Sequence, residues 1–471
     1  MTPQQFASFD GLINTHNLTW VQNLNMVMTN DDLFELPGGS AGFAGLFQYG
    51  EQVWSNPTDP AEITGKFWGL TGTTGGGARN HWAYAAEFRA PVTKMLTLDL
   101  SARYDQYSNH GGGTYNDPTY KFDIAFRPIP TLLLRANYGT SFRAPDMTYV
   151  FNGESGFYEG GLTDYYRCDL FGGPLDQCPY FNNQSTRVLF PGNRNLKSIT
   201  AKSWGGGVVW SPNRSFNISA DYYNISIKNE VELQLIDQIL RQNAACLTGQ
   251  LDPESATCVN AISQVQRSSP TSPVPNNLLG ITDLPINVAN EHVSGIVAAL
   301  NYDLDIGRFG SLEFGANYNV TLQHRFQQYP QDPVIDLLRD PFYSSEFKTI
   351  ANASLTWNIG KWSTTLYGIR YGATTNFYAS SNTTGYATPC ETYSDGYHVC
   401  PGTVAPWILY NASINYHLTP SIRISAVVHN LRNSPPPYDY TWTSSPYYNE
   451  FNYDSFGRQY WLDFDWRFGQ H

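Results

Sequence analysis

GRQYWLDFDWRF, at residues 457–468, alternates large apolar side chains with mostly polar ones. Because successive side chains of a β-strand point to opposite faces, one face of this stretch is aromatic and the other is polar, with Trp461 as the exception. Soluble sheets also alternate, but an apolar set this large and aromatic favours a strand between lipid and an aqueous lumen. The apolar set is Tyr460, Leu462, Phe464, Trp466 and Phe468.

The composition extends this interpretation to the whole chain of 471 residues, of which 15% are aromatic and 14% are charged. A typical soluble domain has about 25% charged residues. No apolar run approaches the roughly 18 residues of a membrane helix, whereas a β-barrel spreads its apolar residues over alternate positions. The formal net charge of -12 argues against a nucleic-acid partner.

Connections between the strand-like segments alternate between short and long. Roughly fifteen segments show the alternation of a strand. Some are joined by very short turns, such as PVTK at residues 91–94, and others by long loops, such as residues 140–198 and 229–291. Outer-membrane barrels have short periplasmic turns and long extracellular loops. The sequence therefore predicts an all-β fold, a transmembrane antiparallel up-and-down β-barrel.

Two local features depart from the simple strand pattern. In FNISADYYNISIK, at residues 216–228, the apolar phase shifts after Tyr222, which predicts a β-bulge near Tyr222 and Tyr223. In LIDQILRQNAACL, at residues 235–247, apolar residues recur at helical spacing, which predicts a short helix within a long loop.

The six cysteines fall into three local pairs, each in a polar loop. Local pairing of an even number favours disulfides that brace loops in an oxidising compartment. The alternatives are zinc ligation, which the absence of a C-x-x-C motif disfavours, and unrelated free thiols. The pairs are Cys168 with Cys178, Cys246 with Cys258, and Cys390 with Cys400.

Several stretches, in this order, resemble segments of the barrel of TonB-dependent outer-membrane receptors. The resemblance runs from about Leu33 to Phe468, with two departures: Ser198 and Ile199 stand where the family usually has Pro-Glu, and residues 469–471 follow Phe468, which normally ends the chain. The stretches are RANYGTSFRAPDM at residues 135–147, NRNLKSITAKSW at 193–204, PINVANEHVSG at 285–295, HNLRNSPPPY at 429–438 and FGRQYWLDFDWRF at 456–468.

The resemblance implies a barrel of 22 strands whose lumen is filled by a plug domain. About fifteen strands are visible here, so we expect residues 1–471 to be a partial barrel domain, with the plug and about seven strands lying before Met1. Residues 1–14 also lack the basic and apolar segments of a signal peptide.

The function implied by the resemblance is energy-coupled uptake of a scarce ligand, such as an iron–siderophore, cobalamin or an oligosaccharide, across the outer membrane of a Gram-negative cell. The expected partners are outer-membrane lipid, the ligand and, only through the missing plug segment, the TonB complex. The alternative is a passive outer-membrane pore that closes with about 16 strands. We expect no enzyme activity, cofactor or metal, since the nine histidines lack metal-ligand spacing.

Candidate functional residues lie on the lumen face and in the long loops. Arg135, Asn137 and Arg143 share one strand phase and are candidates for contact with the plug or lumen, although any one of them more often fits a solvated lumen side chain that pairs with nearby acids. Loop aromatics are candidates for ligand contact because they stack on sugar and catecholate rings, although they also suit loop packing. These aromatics are Phe157, Tyr158, Tyr165, Tyr166, Trp442, Tyr447 and Tyr448.

Overall fold

The computed structural model describes residues 2–7, 10–64, 66–67, 70–71, 74–153, 155–330, 332–338, 346–378, 390–392, 396, 398–442 and 445–468. Its strands are β1 (Leu18–Leu36), β2 (Gly39–Asn56), β3 (Leu70–Thr71), β4 (Gly75–Pro91), β5 (Leu96–Asn109), β6 (Thr114–Ile129), β7 (Leu132–Arg143), β8 (Gly156–Leu162), β9 (Gln184–Leu189), β10 (Ile199–Asn213), β11 (Phe216–Glu232), β12 (Val265–Arg267), β13 (Leu278–Thr282), β14 (Ile286–Asp305), β15 (Ser311–Gln327), β16 (Ile335–Asp336), β17 (Thr349–Ile359), β18 (Trp362–Tyr371), β19 (Thr374–Thr375), β20 (Glu391–Thr392), β21 (His398–Val399), β22 (Thr403–Val404), β23 (Trp407–Thr419), β24 (Ile422–His429) and β25 (Gln459–Trp466).

Helices are few and short. No helix in the described part of the chain is both long enough and apolar enough to cross a bilayer. The helices are α1 (Pro3–Ala7), α2 (Pro60–Ile63), α3 (Met147–Phe151), α4 (Tyr165–Phe171), α5 (Ile236–Leu247) and α6 (Ala256–Gln264), with 3-10 turns at Leu175–Gln177 and Gly307–Phe309.

One large sheet contains the long strands in chain order. Its path is β1-β2-β4-β5-β6-β7-β10-β11-β14-β15-β17-β18-β23-β24-β25, with β16 paired to β15, and neighbours on the path are antiparallel. This confirms the up-and-down arrangement and the expected number of strands. In the described residues β1 and β25 are the two ends of the path, so the sheet is open, and closure with about 16 strands is not seen.

Side chains alternate across the sheet as the sequence predicts. In β25 the apolar set Tyr460, Leu462, Phe464 and Trp466 lies between 52% and 78% exposed. The same outward face carries Tyr84 opposite Tyr104 and Phe314 opposite Leu355. An exposed apolar band of this kind is typical of the outer face of a membrane β-barrel. Residues 469–471, the departure noted after Phe468, lie outside the described residues.

The bulge expected near Tyr222 and Tyr223 is wrong. Both residues pair without a register shift, with Gly206 and Gly205 of β10 and with Ile296 and Gly295 of β14. The apolar phase changes because β11 continues past the outward apolar residues, where lipid no longer dictates the pattern. Tyr223 therefore lies on the inner face of the same regular strand.

Most fully buried apolar side chains lie at one end of the sheet, where the long connections gather; we call this the long-loop end. Three small clusters form there rather than one central core. One of them packs α3 and Val231 against Leu196. A barrel sheet buries its outer face in lipid, so protein-only cores arise mainly where loops fold on one another.

Candidate ligand-binding cap at the long-loop end

A second sheet of five strands lies at the long-loop end, in the order β12-β13-β9-β8-β3. Its strands come from three separate connections of the large sheet: β2 to β4, β7 to β10, and β11 to β14. The β9–β13 pair is parallel and the other pairs are antiparallel. We call this sheet, with α4, α5 and α6, the cap.

The core of the cap is formed by α5 against the cap sheet. Ile239 and Leu240 of α5 are fully buried beside Val188 and Ile281 of the two parallel strands. Ile236 packs against the same cluster, so the apolar residues of α5 follow a helical face. This confirms the helix predicted for residues 235–247, while α6 was not predicted from the sequence.

Disulfides brace the helices of the cap. Cys168 of α4 is bonded to Cys178, and Cys246 of α5 is bonded to Cys258 of α6. The third predicted pair, Cys390–Cys400, closes part of the connection between β18 and β23. All three predicted pairings are confirmed.

A buried ion pair joins the start of α4 to β12. The Asp164 carboxylate is fully buried and accepts a hydrogen bond from Arg267 Nη1 at Oδ2, at 2.9 Å. Arg267 Nη2 lies 2.9 Å from Asp164 Oδ1 as an ion-pair contact. Arg267 Nε donates to Asn243 Oδ1 on α5 at 3.0 Å, and its guanidinium lies 5.1 Å from the Tyr166 ring centroid. Charges this deeply buried persist only when they are paired and hydrogen-bonded, so this group fixes α4, α5 and β12 together.

Tyr165 and Arg241 line a cavity of about 310 Å³ between α4 and α5. The Tyr165 hydroxyl donates to Asp237 Oδ1 at 2.6 Å, and the Arg241 guanidinium lies 4.0 Å from the Tyr165 ring centroid. Burial raises the pKa of Tyr165 well above its usual value, and the neighbouring Asp237 carboxylate adds to the shift. Asp169, whose pKa burial also raises, lies on the same wall. The remaining lining residues are Gln242, Ala244, Ala245, Gln250 and Leu251.

The other predicted aromatics of the first long loop differ in accessibility. Tyr158, in β8, is 64% exposed, whereas its neighbour Phe157 stacks on Phe190 with ring centroids 5.3 Å apart. Tyr166 lies beneath Arg267, as described above. The structure thus brings all four predicted aromatics of this loop into the cap and leaves Tyr158 the most accessible.

Trp442, Tyr447 and Tyr448 lie in a separate aromatic cluster, in the β24–β25 connection. Trp442 packs on Phe377 with ring centroids 4.6 Å apart, and Tyr447 stacks on Tyr438 at 5.3 Å. Tyr448 contacts Tyr453 edge-on. These contacts give the three residues packing partners within the loops, and Tyr447 is 39% exposed.

The predicted lumen residues occupy the inner face of β7. Arg135 donates to Asp221 of β11 through Nε at 2.6 Å and Nη2 at 2.5 Å. Arg143 donates to Asp146 at 2.7 Å. Asn137 is exposed on the same face. The two arginines are therefore paired with nearby acids in the structure, and contact with a plug stays a prediction.

A cluster of glutamates and one histidine lies where the cap meets the strands, and the sequence did not reveal it. The carboxylates of Glu230, Glu232 and Glu291 lie within 4.8 Å of one another, the one described group of this kind spaced to hold a metal ion. His324 contacts Glu291 and Glu346, each at 2.7 Å. Asn229 has a φ of 56°, and this left-handed residue interrupts the alternation of β11 just before Glu230.

Burial and crowding shift the proton affinities of this cluster, which lies beyond the outward apolar band. Burial alone would lower the pKa of His324, but its bonds to Glu291 and Glu346 outweigh it and raise the pKa to about 9. Burial, reinforced by the charge of Glu291, raises the pKa of Glu232 to about 7. Burial and the neighbouring Glu291 likewise raise the pKa of Glu230. The cluster can therefore bind and release protons near neutral pH.

Comparison with known families decides the class of this barrel. A family model described as TonB dependent receptor-like, beta-barrel matches residues 2–431. The chain belongs to the TonB-dependent receptor family. None of the curated proteins matches this receptor chain closely enough to count as a relative.

Solved structures with a similar fold include iron and siderophore receptors. PirA, a siderophore receptor from Acinetobacter baumannii, gives a TM-score of 0.59 at 14% identity, covering 95% of this chain and 55% of its own. A mutant ferric enterobactin receptor, PfeA from Pseudomonas aeruginosa in complex with enterobactin, gives 0.56 at 14% identity over 88% and 49%. The FrpB iron transporter from Neisseria meningitidis gives 0.55 at 12% identity over 96% and 56%. Identities this low show the fold alone, and the TonB-dependent receptor chain spans about half the length of these structures.

Proposed function

We propose that this chain forms the barrel of an outer-membrane receptor that captures a ferric siderophore and, as part of the whole receptor, passes it inward with energy supplied through TonB. In this arrangement the long-loop end and its cap face the outside of a Gram-negative cell, and the short turns face the periplasm. Coupling to TonB would run through a plug segment inside the lumen.

The observation that carries the proposal is the cap. Three loops are folded into one braced unit, in which α4 and α5 line a cavity with Tyr165, Asp169 and Arg241. A passive pore has no need for an ordered structure of this kind above its opening. A receptor does, because a preformed site binds a scarce ligand without the entropy cost of ordering its loops.

The chemistry of the cap favours a ligand that combines rings with charge. Tyr158 offers an exposed ring, and Arg241 and Asp169 place both signs of charge beside the cavity. Aromatic rings stack on other rings and on sugars, so cobalamin and oligosaccharides are the competing ligand classes. The similarity to siderophore receptors supports the siderophore class among these three.

Binding to the purified chain, folded in detergent, tests the proposal. Ferric enterobactin, iron-free enterobactin, cobalamin and maltohexaose are titrated separately while protein fluorescence is recorded. We expect saturable quenching by the ferric siderophore alone. Saturable binding of cobalamin or the oligosaccharide, with none of the ferric siderophore, would overturn the assignment of ligand class.

A further inference from the structure

The outward apolar band ends in an aromatic girdle on the side of the long-loop end. Tyr120 and Tyr138 lie with ring centroids 6.1 Å apart, and Trp204 and Tyr222 lie 5.2 Å apart on the next pair of strands. Aromatic rings of this kind mark the level of lipid headgroups in membrane barrels. Outward side chains just beyond these rings therefore meet headgroups rather than acyl chains.

The side chains beyond the girdle form a basic groove. Lys202 of β10 pairs in register with Thr140 of β7 and Ser226 of β11, and Lys228 pairs with Thr200. All of them share the outward face, since each lies an even number of positions from Tyr138, Trp204 or Tyr222 along its own strand. They line a cavity of about 340 Å³, which we call the outer groove, together with Asp117, Pro118, Thr119, Tyr120, Ser141 and Ala201.

The charges of the outer groove are not neutralised within the described residues. Neither Lys202 nor Lys228 lies within 4.0 Å of a described carboxylate, whereas the inward-facing Lys121 pairs with Asp123 at 2.8 Å. The one acid on the lining, Asp117, pairs in register with Asp105 and so has the parity of the inner face. The groove therefore presents two ammonium groups and several hydroxyls to the membrane surface.

The basic row continues along the same level of the sheet. His292 pairs in register with Ser226, and Arg325 pairs with His292. Arg325 is exposed on this face. The row therefore has a cationic side chain at each end, Lys202 and Arg325, with Ser226 and His292 between them.

We propose that the outer groove binds the phosphate-bearing headgroup of a membrane lipid in the leaflet at the long-loop end. The two lysines and the hydroxyls of Thr140, Thr200 and Ser226 supply the donors that a phosphate accepts, and the girdle below supplies an apolar surface for the acyl chains. The inference rests on the membrane position given under Proposed function, but not on the identity of the transported ligand.

Native mass spectrometry of the full chain in detergent tests this site without requiring insertion into a membrane. Dioleoyl phosphatidic acid and dioleoylglycerol are compared, because they differ only in the phosphate. We expect the phosphatidic acid to be retained, and retention to fall about 30-fold in K202Q/K228Q, since each lysine beside an anionic lipid is worth about 1 kcal/mol, or roughly fivefold.

Control variants separate the groove from general charge. K202R/K228R keeps both charges and should retain the lipid, and K121Q removes an inward-facing lysine and should also retain it. Equal retention of dioleoylglycerol, unchanged retention in K202Q/K228Q, or full displacement by millimolar inorganic phosphate would overturn the proposal. Ferric siderophore titration of the same variants should be unchanged, which distinguishes a failure here from a failure of the proposed transport function.

Discussion

Arg135 and Asp221 form a two-pronged ion pair across an intervening strand. Gly207 of β10 pairs in register with both residues, so the pair passes over a position that has no side chain. A Cβ atom at Gly207 would lie 1.9 Å from Asp221 Oδ1. The ion pair of Arg135 and Asp221 therefore requires a glycine at position 207.

We expect Gly207→Ala to displace the Asp221 carboxylate and break its pair with Arg135. An exposed ion pair is worth about 1 kcal/mol or less, and the added methyl group costs more, so the free energy of unfolding should fall by about 1–3 kcal/mol. Urea unfolding of the folded chain in detergent measures this. Gly206→Ala is the matched control, because a Cβ there meets only Arg135 O at 3.5 Å; equal losses in the two variants would contradict this explanation.

Breaking the buried ion pair of Asp164 and Arg267 should destabilise the cap by more than Gly207→Ala destabilises the large sheet. Arg267→Met leaves a fully buried carboxylate without its cation, which costs about 3–5 kcal/mol. Hydrogen exchange of the α5 and β12 amides should accelerate accordingly, while exchange in the large sheet stays unchanged. Because an apolar pair avoids the unpaired charge, Asp164→Leu combined with Arg267→Met should recover part of the protection. If the double variant is no better protected from exchange than Arg267→Met, the unpaired Asp164 carboxylate is not the cause of the loss.

The glutamate–histidine cluster predicts that β11 and β14 loosen beside the cap as pH rises. His324 has a raised pKa, so its contribution to stability is complete below its unfolded value of 6.5 and is lost as pH rises through about 9. Glu232 changes stability in the same direction. Folding raises its pKa from 4.5 to about 7, so its contribution to stability is lost as pH rises through about 7. Intrinsic-rate-corrected hydrogen exchange of β11 and β14 near the cluster should therefore be faster at pH 9 than at pH 6.

A matched pair of variants isolates the cluster. Glu232→Gln mimics the protonated acid and should remove part of the change between pH 6 and pH 8. Glu254→Gln removes an exposed carboxylate between α5 and α6 and should leave the pH dependence intact. Amide protection of β11 and β14 that increases between pH 6 and pH 9 would contradict this prediction, because the cluster would then stabilise the strands as pH rises.

Tyr158 and Tyr165 should separate ligand contact from structural support. Tyr158→Ala removes an exposed ring and should weaken siderophore binding about 2- to 12-fold, the range of a single aromatic contact, without changing exchange in α5. Tyr165→Phe removes the hydroxyl held by Asp237 and should accelerate that exchange. Fluorescence titration and hydrogen exchange on both variants provide the check, and normal binding by the Tyr158 variant would exclude this residue from the site.

The large sheet could be predicted because lipid and lumen impose the same rule on every strand. The alternation in residues 457–468 and the alternating turn lengths specified strand number and order without knowledge of any contact. The prediction of a bulge at Tyr222 is wrong because the alternation of apolar and polar side chains holds only where the strand lies within lipid. Beyond Tyr222, apolar residues such as Ile225 lie on the inner face, and the phase changes while the strand stays regular.

The cap and the glutamate–histidine cluster could not be predicted, since they depend on contacts between loops. The helical face of α5 was visible, but nothing local shows that β9 pairs with β13 or that Arg267 meets Asp164. The proximity of Glu230 and Glu291 depends on the left-handed conformation of Asn229 and on the pairing of β11 with β14. The cysteine pairs were the exception, because their short spacing made the pairing a local property.

The cap sheet also constrains the order in which the chain can fold. Many neighbouring strands of the large sheet are joined by short hairpins, so the contacts within these hairpins can form early and locally. The cap sheet instead pairs Leu70 with Phe157 and Val188 with Ile281, across long stretches of chain. Closing such loops costs entropy until the intervening hairpins hold their ends together. We therefore expect assembly of the cap to be the late and slow event in folding, following the hairpins that bring its strands together.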